Sequence, residues 1–279
     1  MSILDDLTAP LGRQRFFAEH WDRLAFHAKG APDRFAALFD AQAFERAVER
    51  CQVLKAGFKD SAGWSLEVPI QPAQVKRLFE AGMTICLGKL EETPPLAAFL
   101  NAVRRELGHG VHFNCYHSPD GKGFGLHFDN HPVMLLQISG AKRWIYSLDP
   151  EVAASPTNVI MPPDRDAVAL PWGTIRRPHP SRMREVVLEP GDVLYLPAGC
   201  WHEAAAIGHS LALTMAVTPV TLLELAQRAA TAKLAQHPAL LARLGVPPDA
   251  GQLAEGLAEL RRLTDSLTPE DLRRAWARQ

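Results

Sequence analysis

The strongest constraint on the fold is a change of pattern at Val111. From there to Val217, short apolar or alternating runs are separated by turns that contain Gly and Pro, which is typical of a β-sandwich or a small barrel. Residues 149–184 are rich in proline and have no convincing periodicity. The predicted strands in this part of the chain are 111–117, 127–138, 143–148, 186–188, 193–196 and 211–217.

Apolar residues at helical spacing flank this central part on both sides. Before it, we predict helices at 14–27, 40–54, 71–81 and 94–107, and strands at 64–70 and 83–90. After Pro219, the predicted helices are 221–236, 238–244, 252–263 and 269–278. The fold class is therefore mainly β with α: a β core with N-terminal helices and a C-terminal helical region. The predicted parts are 1–105, 106–219 and 220–279.

Composition narrows the class of protein. Lys and Arg number 30 against 31 Asp and Glu, so no global charge favours nucleic acid or a membrane surface. No run of about 18 apolar residues is present to span a bilayer, and the N-terminus lacks the pattern of a signal peptide. The four cysteines are irregularly spaced, which indicates reduced thiols. We expect a cytoplasmic protein that binds neither nucleic acid nor membrane.

Three residues carry the chemistry of a metal site. His127 and Asp129 are two apart, so on a strand their side chains share a face. His202 closes a segment that reads as a turn followed by a strand, 189–197. Two imidazoles and one carboxylate are the ligand set of a facial-triad iron(II) site with open positions. The alternative is that these are unrelated residues of the barrel.

Other polar residues are set aside as structural or exposed. They include His117, His131, His179, His209 and Cys200, the last as a buried inert thiol. A basic cluster in the proline-rich segment borders a substrate entrance or is a solvated loop; its members are Arg176, Arg177, Arg182 and Arg184.

Three stretches resemble the JmjC (Jumonji-C) oxygenases, in particular their bacterial cupin-like branch and the ribosomal oxygenases. They are 114–129, which runs from Asn-Cys-Tyr-His to Leu-His-Phe-Asp, 135–144, and 191–204, which includes Pro-Ala-Gly-Cys-Trp-His-Glu. The segment 16–22 is similar to the family's entry helix, and the likeness covers roughly residues 14–219. The resemblance implies a double-stranded β-helix, the jelly-roll or cupin core, which holds Fe(II) and takes 2-oxoglutarate as co-substrate.

The resemblance also assigns roles to single residues. His127, Asp129 and His202 match the metal ligands. Lys142 stands where the family places a basic residue for the distal carboxylate of 2-oxoglutarate. Tyr116 matches a hydroxyl that assists it, and Thr214 matches a hydroxyl residue on the last strand.

The residues themselves give a parallel interpretation. A buried lysine needs an anion, whereas a solvated lysine in a hairpin would need none. Tyr116 and Thr214 are hydroxyl donors on predicted strands, either facing the pocket or satisfied within the core. Asn114 shares a face with Tyr116 by alternation and is a further candidate for co-substrate binding, with a structural role as the alternative.

The resemblance implies an enzyme that hydroxylates a side chain of a protein or peptide and releases succinate and CO2. Alternatives are a small-molecule hydroxylase of the same chemistry, a cupin metalloenzyme that uses no oxo acid, and a non-enzymatic β-helix binding protein that dimerises through its C-terminal helices. Ribosomal members carry dimerisation helices followed by a winged-helix domain, whereas the 60 residues after Pro219 read as helices alone. A ribosomal substrate is therefore not assumed. Capping of the barrel end is a second role for these helices.

Overall fold

The computed structural model describes residues 2–59, 65–90, 94–241 and 249–277. The chain divides into two units, Met1–Thr218 and Pro219–Gln279, and each is described by itself. All strands formed by the described residues belong to the first unit. They are β1 Phe26–Ala28, β2 Val53–Lys59, β3 Ser65–Pro69, β4 Thr84–Gly88, β5 Gly110–Pro119, β6 His127–Phe128, β7 Val133–Ser147, β8 Val159–Ile160, β9 Ala167–Leu170, β10 Gly173–Arg176, β11 Met183–Leu188, β12 Val193–Leu196 and β13 His202–Thr218.

Eleven strands form one antiparallel sheet whose main order is β1-β12-β7-β13-β5-β4-β2-β3, with β11 beside β7 and β6 between β13 and β8. β9 and β10 form a separate hairpin. The mainly antiparallel sheet between helical segments confirms the predicted fold class.

Two long strands, β7 and β13, bend together and so close the sheet over itself. β7 pairs with β12 before the bend and with β11 after it, while β13 follows β7 on both sides. The bend falls at Gly140 and Gly208, which have φ of 63° and 70°, a backbone region that favours glycine. A Cβ on Gly140 would lie 2.0 Å from the His209 carbonyl oxygen, so the crossing tolerates no side chain there.

Alternation along the strands divides the apolar residues between two faces. Phe113, Cys115, Leu213 and Met215 belong to a core that also contains the buried side chains of the N-terminal helices. The opposite face contributes an inner cluster that includes Val133, Leu135, Trp144, Leu194 and Leu196. The sheet is thus covered on its outer face and has an interior of its own.

Within the described residues, α-helices α1 to α5 belong to the first unit and α6 to α8 to the second. The helices are α1 Ile3–Leu7, α2 Arg13–Glu19, α3 Ala41–Val48, α4 Val75–Glu80 and α5 Pro94–Leu107, followed by α6 Leu222–Leu234, α7 Ala250–Asp265 and α8 Pro269–Ala277. In the second unit, α6 packs on α7 and α8, and Lys233 donates to the Ser266 carbonyl oxygen. No helix in the described part of the chain has both the length and the hydropathy to cross a bilayer.

Several predicted elements end differently in the structure. The helices predicted to reach residues 27 and 54 stop at Glu19 and Val48, and the apolar residues that follow them form β1 and β2. The predicted strand 127–138 is divided between β6 and the first part of β7, and β7 continues through residues 139–142 into the predicted strand 143–148. Residues 149–184 contain the unpredicted strands β8 to β10. Trp64 and residues 242–244, at the ends of two predicted elements, lie outside the described residues.

Candidate metal centre

The structure brings His127, Asp129 and His202 together. His127 opens β6 and His202 opens β13, and the two residues are direct partners in the antiparallel ladder. Asp129 follows β6 by one residue. One ligand atom from each of the three lies within 4.8 Å of the others, which makes this group a candidate metal site within the described residues.

The neighbours of these three residues hold them in place from the opposite face. Phe128 and Trp201 are both fully buried and pack edge to face with ring centroids 4.7 Å apart. They join a cluster with Val159, Met161 and Ile175, which the proline-rich segment supplies. Since side chains alternate along a strand, this packing directs His127 and His202 to the interior.

Hydrogen bonds fix the orientation of both imidazoles. Nδ1 of His127 lies 2.7 Å from the Gly125 carbonyl oxygen, and Nδ1 of His202 lies 2.9 Å from the Cys200 carbonyl oxygen. An imidazole that donates from Nδ1 to a carbonyl keeps its lone pair on Nε2, the arrangement that metal-bound histidines use. Nε2 of His202 points toward Asp129, at 3.7 Å from Oδ2.

Burial sets the charge state of His202. Burial, followed by the neighbouring His127, lowers the pKa of His202 to about 4, although Asp129 acts in the opposite direction. The imidazole is therefore neutral at neutral pH. Neutral imidazole is the form that binds a metal ion.

A cavity opens beside the three ligand residues and contains a buried cation. Lys142, on β7 after the bend, is 3 % exposed and lines this cavity together with Tyr116 and Thr214. Its Nζ lies 3.2 Å from Ser118 Oγ. Among the described residues Lys142 forms no ion pair, although Asp129 lines the same cavity.

The environment of Lys142 opposes its charge. Burial lowers the pKa of the ammonium group to about 8. The rings of Tyr116 and Trp144 lie 5.9 and 5.8 Å from Nζ, within the range of a cation–π contact. These contacts offset only part of the desolvation cost, which an anion placed in the cavity would relieve.

The three remaining candidate residues lie on the neighbouring strands β5 and β13. Two of them line the cavity and one does not. Tyr116 on β5 and Thr214 on β13 both line the cavity. Burial raises the pKa of the Tyr116 phenol, so its hydroxyl remains protonated and available as a donor. Asn114 is the ladder partner of Thr214, but its Oδ1 accepts from the Lys89 backbone N–H at 3.3 Å and it does not line the cavity.

Sequence reasoning missed two polar residues behind Lys142. The predicted strand ends at residue 117, but Ser118 is the penultimate residue of β5 and is fully buried. Thr84 donates to Ser118 Oγ at 3.1 Å, so a chain of hydrogen bonds connects Lys142, Ser118 and Thr84. Strand alternation could have identified Ser118, since it is two residues after Tyr116 and shares its face.

Phe124 was also missed, and it forms one wall of the cavity. Its ring meets that of Tyr116 edge to face at 5.6 Å. It also rests on Gly57 of β2, where a Cβ would lie 2.7 Å from Phe124 Cζ. The bare backbone of Gly57 therefore makes room for the ring.

Replacing Gly57 by alanine should destabilise the protein by about 1–3 kcal/mol, the usual cost of overpacking. Replacing Phe124 by leucine in the same chain should recover part of this loss, because the clash is with the ring. Denaturant unfolding measures both, with Gly256→Ala as control, where an added methyl meets nothing within 4 Å. Equal destabilisation of the single and double variants would contradict the account of this contact.

The other residues weighed from the sequence lie outside the metal-ligand group. No further histidine joins that group within the described residues. Cys200 is buried, and burial raises the pKa of its thiol to about 12, which makes it unreactive. In the basic cluster, Arg182 pairs with Asp149 and Glu151, and Arg177 donates to the carbonyl oxygens of 162, 163 and 165. These two arginines hold the proline-rich segment together.

Comparison with known proteins gives relatives over most of the chain. Ribosomal oxygenase 1 of Gallus gallus is 27% identical over 222 residues, 75% of this chain and 35% of its own length. The bifunctional lysine-specific demethylase and histidyl-hydroxylase NO66 of Culex quinquefasciatus is 29% identical over 192 residues, 65% of this chain and 28% of its own. The chain thus spans about a third of the length of these curated relatives.

Solved structures support the same fold. The ribosomal oxygenase YcfD of Escherichia coli, in complex with cobalt and 2-oxoglutarate, superposes with a TM-score of 0.61 at 18% identity, covering 94% of this chain and 69% of that one. This likeness identifies the closed sheet as a jelly-roll core of the cupin type. Residues 98–225, which include all three candidate ligands, match the family described as JmjC domain. The candidate metal centre therefore lies in the part of the chain that is similar to the JmjC domain.

Proposed function

We propose that this protein is an Fe(II)- and 2-oxoglutarate-dependent oxygenase that hydroxylates a side chain of a protein or peptide. The observation that carries the proposal is Lys142, a buried cation that forms no ion pair among the described residues, in the same cavity as the three candidate ligands. A buried charge is costly unless it meets a counter-charge. A dicarboxylate co-substrate supplies that counter-charge.

The residues present fit the metal. Two imidazoles that can offer Nε2 and one carboxylate form the facial set that non-heme iron(II) oxygenases use. The set leaves positions open for oxygen donors. We assign His127, Asp129 and His202 as the residues that hold iron(II), with the Nδ1 hydrogen bonds to backbone carbonyls as their outer support.

The residues around the cavity fit an oxo acid. Lys142 would pair with the distal carboxylate, with Ser118 holding the ammonium group in position. The hydroxyls of Tyr116 and Thr214 would donate to the co-substrate from β5 and β13. Asn114 does not line the cavity, and we propose a supporting role for it, in which its side chain holds the backbone at Lys89.

When both groups are bound, they supply oxidative chemistry in which dioxygen and 2-oxoglutarate yield succinate, CO2 and one new hydroxyl group on the substrate. The protein binds and orients the reactants. Val133, Leu135 and Trp144 line the cavity and would shield the bound reactants from water. Lys142 keeps the co-substrate in one orientation through a charge-assisted hydrogen bond.

The relatives support a protein as the substrate class. One is named a ribosomal oxygenase and another a histidyl-hydroxylase. A structural relative has been solved with 2-oxoglutarate. Small-molecule hydroxylation with the same residues is the alternative.

We also propose distinct roles for three parts of the chain. Residues 106–219 form the catalytic core, 1–105 support it, and 220–279 form a dimer interface. The second unit carries large exposed apolar side chains, such as Leu222 at 70 % and Leu223 at 68 %, which association would bury.

The free cysteines of the described chain are consistent with a reducing compartment, and we propose the cytoplasm.

The proposal is tested by incubating the protein with Fe(II), ascorbate, 2-oxoglutarate and a lysate of the source cells. We expect succinate, and a protein or peptide product heavier by one oxygen atom in mass spectra. His127→Ala should abolish both, whereas His179→Ala, an exposed histidine outside the site, should not. Succinate formation that does not depend on His127 would reject the proposed site, and its complete absence from the iron-loaded protein would favour a binding protein.

A further inference from the structure

The cavity beside the candidate metal ligands is smaller than the proposed co-substrate. Its volume is about 60 Å³. An engineered protein cavity of about 150 Å³ holds benzene, a molecule of six non-hydrogen atoms. 2-Oxoglutarate has ten, and its distal carboxylate has to reach Lys142 within the cavity. One wall of the cavity therefore has to move before 2-oxoglutarate binds.

Most of the wall belongs to the sheet and is held in place. Apart from Phe124 and Asp129, the described residues that line the cavity all lie on β5, β6, β7 or β13. The ladders between these strands fix their backbones. Val133, Leu135 and Trp144 are at most 7 % exposed, so close packing leaves their side chains no space to turn into. Asp129 is a candidate metal ligand, and this leaves Phe124.

The Phe124 ring has room to leave its place while its backbone stays anchored. The Phe124 carbonyl oxygen accepts from the Ala204 N–H at 3.2 Å, and the following Gly125 N–H donates at 2.8 Å to a serine hydroxyl of β3. The ring itself is half-buried between Tyr116 and the backbone of Gly57. Because the interior beside the cavity is filled, the ring can turn only outward, about its own side-chain bonds.

We propose that Phe124 is a gate for 2-oxoglutarate. In the closed position, which the structure shows, the ring occupies space that the co-substrate needs. In the open position, the ring turns outward from Tyr116 and vacates that space. This inference rests on the proposed function and adds to it the step by which the co-substrate enters.

The gate reduces the affinity for 2-oxoglutarate. A minor conformation typically holds about 0.1–10 % of the molecules, and the open position is the minor one here. When only that fraction is competent to bind, the apparent dissociation constant is raised by the inverse of the fraction. The closed ring therefore weakens binding at least about tenfold.

Removal of the ring should strengthen 2-oxoglutarate binding. Phe124→Ala should lower the dissociation constant at least about tenfold, because every molecule is then open. A side chain that only contacts the co-substrate gives the opposite result, since its removal takes contacts away. Calorimetric titration of the full-length, Mn(II)-loaded protein under nitrogen measures the affinity. Unchanged or weaker binding by a Phe124→Ala protein that folds, as circular dichroism establishes, would overturn the gate.

A series of side chains at the same position guards against an effect on folding. Phe124→Leu keeps an apolar side chain without the ring and should give a smaller gain, whereas Phe124→Trp should weaken binding. The control is Phe17→Ala, which removes a ring that is 36 % exposed in α2, outside the cavity, and should leave the affinity unchanged. An affinity that does not fall as the side chain at position 124 grows would contradict the gate.

Fluorine NMR observes the ring directly. 4-Fluorophenylalanine is incorporated at position 124, and the Zn(II)-loaded protein is examined with a neutral gadolinium chelate in solution. Saturation with 2-oxoglutarate should make the chelate relax the fluorine signal faster, because the open ring is more exposed. Slower or unchanged relaxation would show that the ring stays in the wall, and the gate would be wrong.

The calorimetric titrations also distinguish failure of the gate from failure of the proposed function. If neither the wild type nor Phe124→Ala binds 2-oxoglutarate, the proposed function is wrong and the gate with it. If both bind with equal affinity, the co-substrate site stands and the gate is wrong. Tighter binding by Phe124→Ala, with the wild-type affinity unchanged in Phe17→Ala, is the result that the gate predicts.

Discussion

Replacing His202 by alanine should lower the affinity for divalent metal by at least about 100-fold and abolish succinate formation. Loss of an outer-shell partner alone typically costs about 10–100-fold in metal affinity, and His202 is proposed as a direct ligand. Asp129→Ala should act in the same way, because it removes the carboxylate of the set. Calorimetric titration with Mn(II), which accepts the same donors without oxidation, measures the loss directly.

The matched control for these variants is His179→Ala, since its imidazole lies outside the ligand group. Circular dichroism establishes that each variant folds. His202 is also buried, so its removal leaves a small cavity, and the Asp129 variant separates that packing effect from ligation. Unchanged Mn(II) affinity in a folded Asp129→Ala protein would contradict the proposed ligand set.

Replacing Lys142 by methionine should weaken 2-oxoglutarate binding while leaving Mn(II) binding intact. Removing one partner of a buried charge pair costs about 2–5 kcal/mol, which is about 30-fold or more in affinity. The ligand-free variant should be at least as stable as the wild type, because methionine removes a buried charge that forms no ion pair among the described residues. A variant that loses stability and retains 2-oxoglutarate affinity would show that Lys142 serves the fold instead.

Lys142 should also make the affinity for 2-oxoglutarate depend on pH. Burial lowers the pKa of Lys142 to about 8 in the ligand-free protein, and only the protonated form attracts a carboxylate. Affinity for 2-oxoglutarate should therefore be nearly constant below pH 8 and fall by up to about tenfold per pH unit above it. Lys142→Arg keeps its charge throughout, so whatever affinity it retains should lose this dependence. A wild-type profile that is flat to pH 10 would contradict the role of Lys142.

Local patterns were sufficient to predict the strand-rich core and to select the candidate ligand residues. His127 and Asp129 lie two apart, which predicted a shared face, although β6 ends at Phe128 and Asp129 follows it. The antiparallel ladder then pairs His127 with His202. Lys142 and Tyr116 were predicted from the resemblance, and the structure places both at the cavity. Their catalytic roles stay predictions until they are measured.

Long-range packing explains what the sequence did not predict. Ser118 stands in a run with Pro, Asp and Gly, which locally favours a turn, but pairing with Ser210 of β13 extends the strand through it. Phe124 became a wall of the cavity because Gly57, far away in sequence, leaves space for its ring. The strands β8 to β10 are short and irregular, and apolar contacts to Phe128 and Trp201 hold them in place. Their sequence therefore shows no regular periodicity that would predict a strand.

The most direct test of the account is the source of the oxygen in succinate. The iron-loaded protein is incubated with 2-oxoglutarate under oxygen-18 gas, and the succinate is analysed by mass spectrometry. A 2-oxoglutarate-dependent dioxygenase should place one oxygen-18 atom in each succinate, even when turnover is not coupled to a substrate, and Asp129→Ala should form none. Succinate without oxygen-18, or equal labelling with the Asp129→Ala protein, would contradict the account.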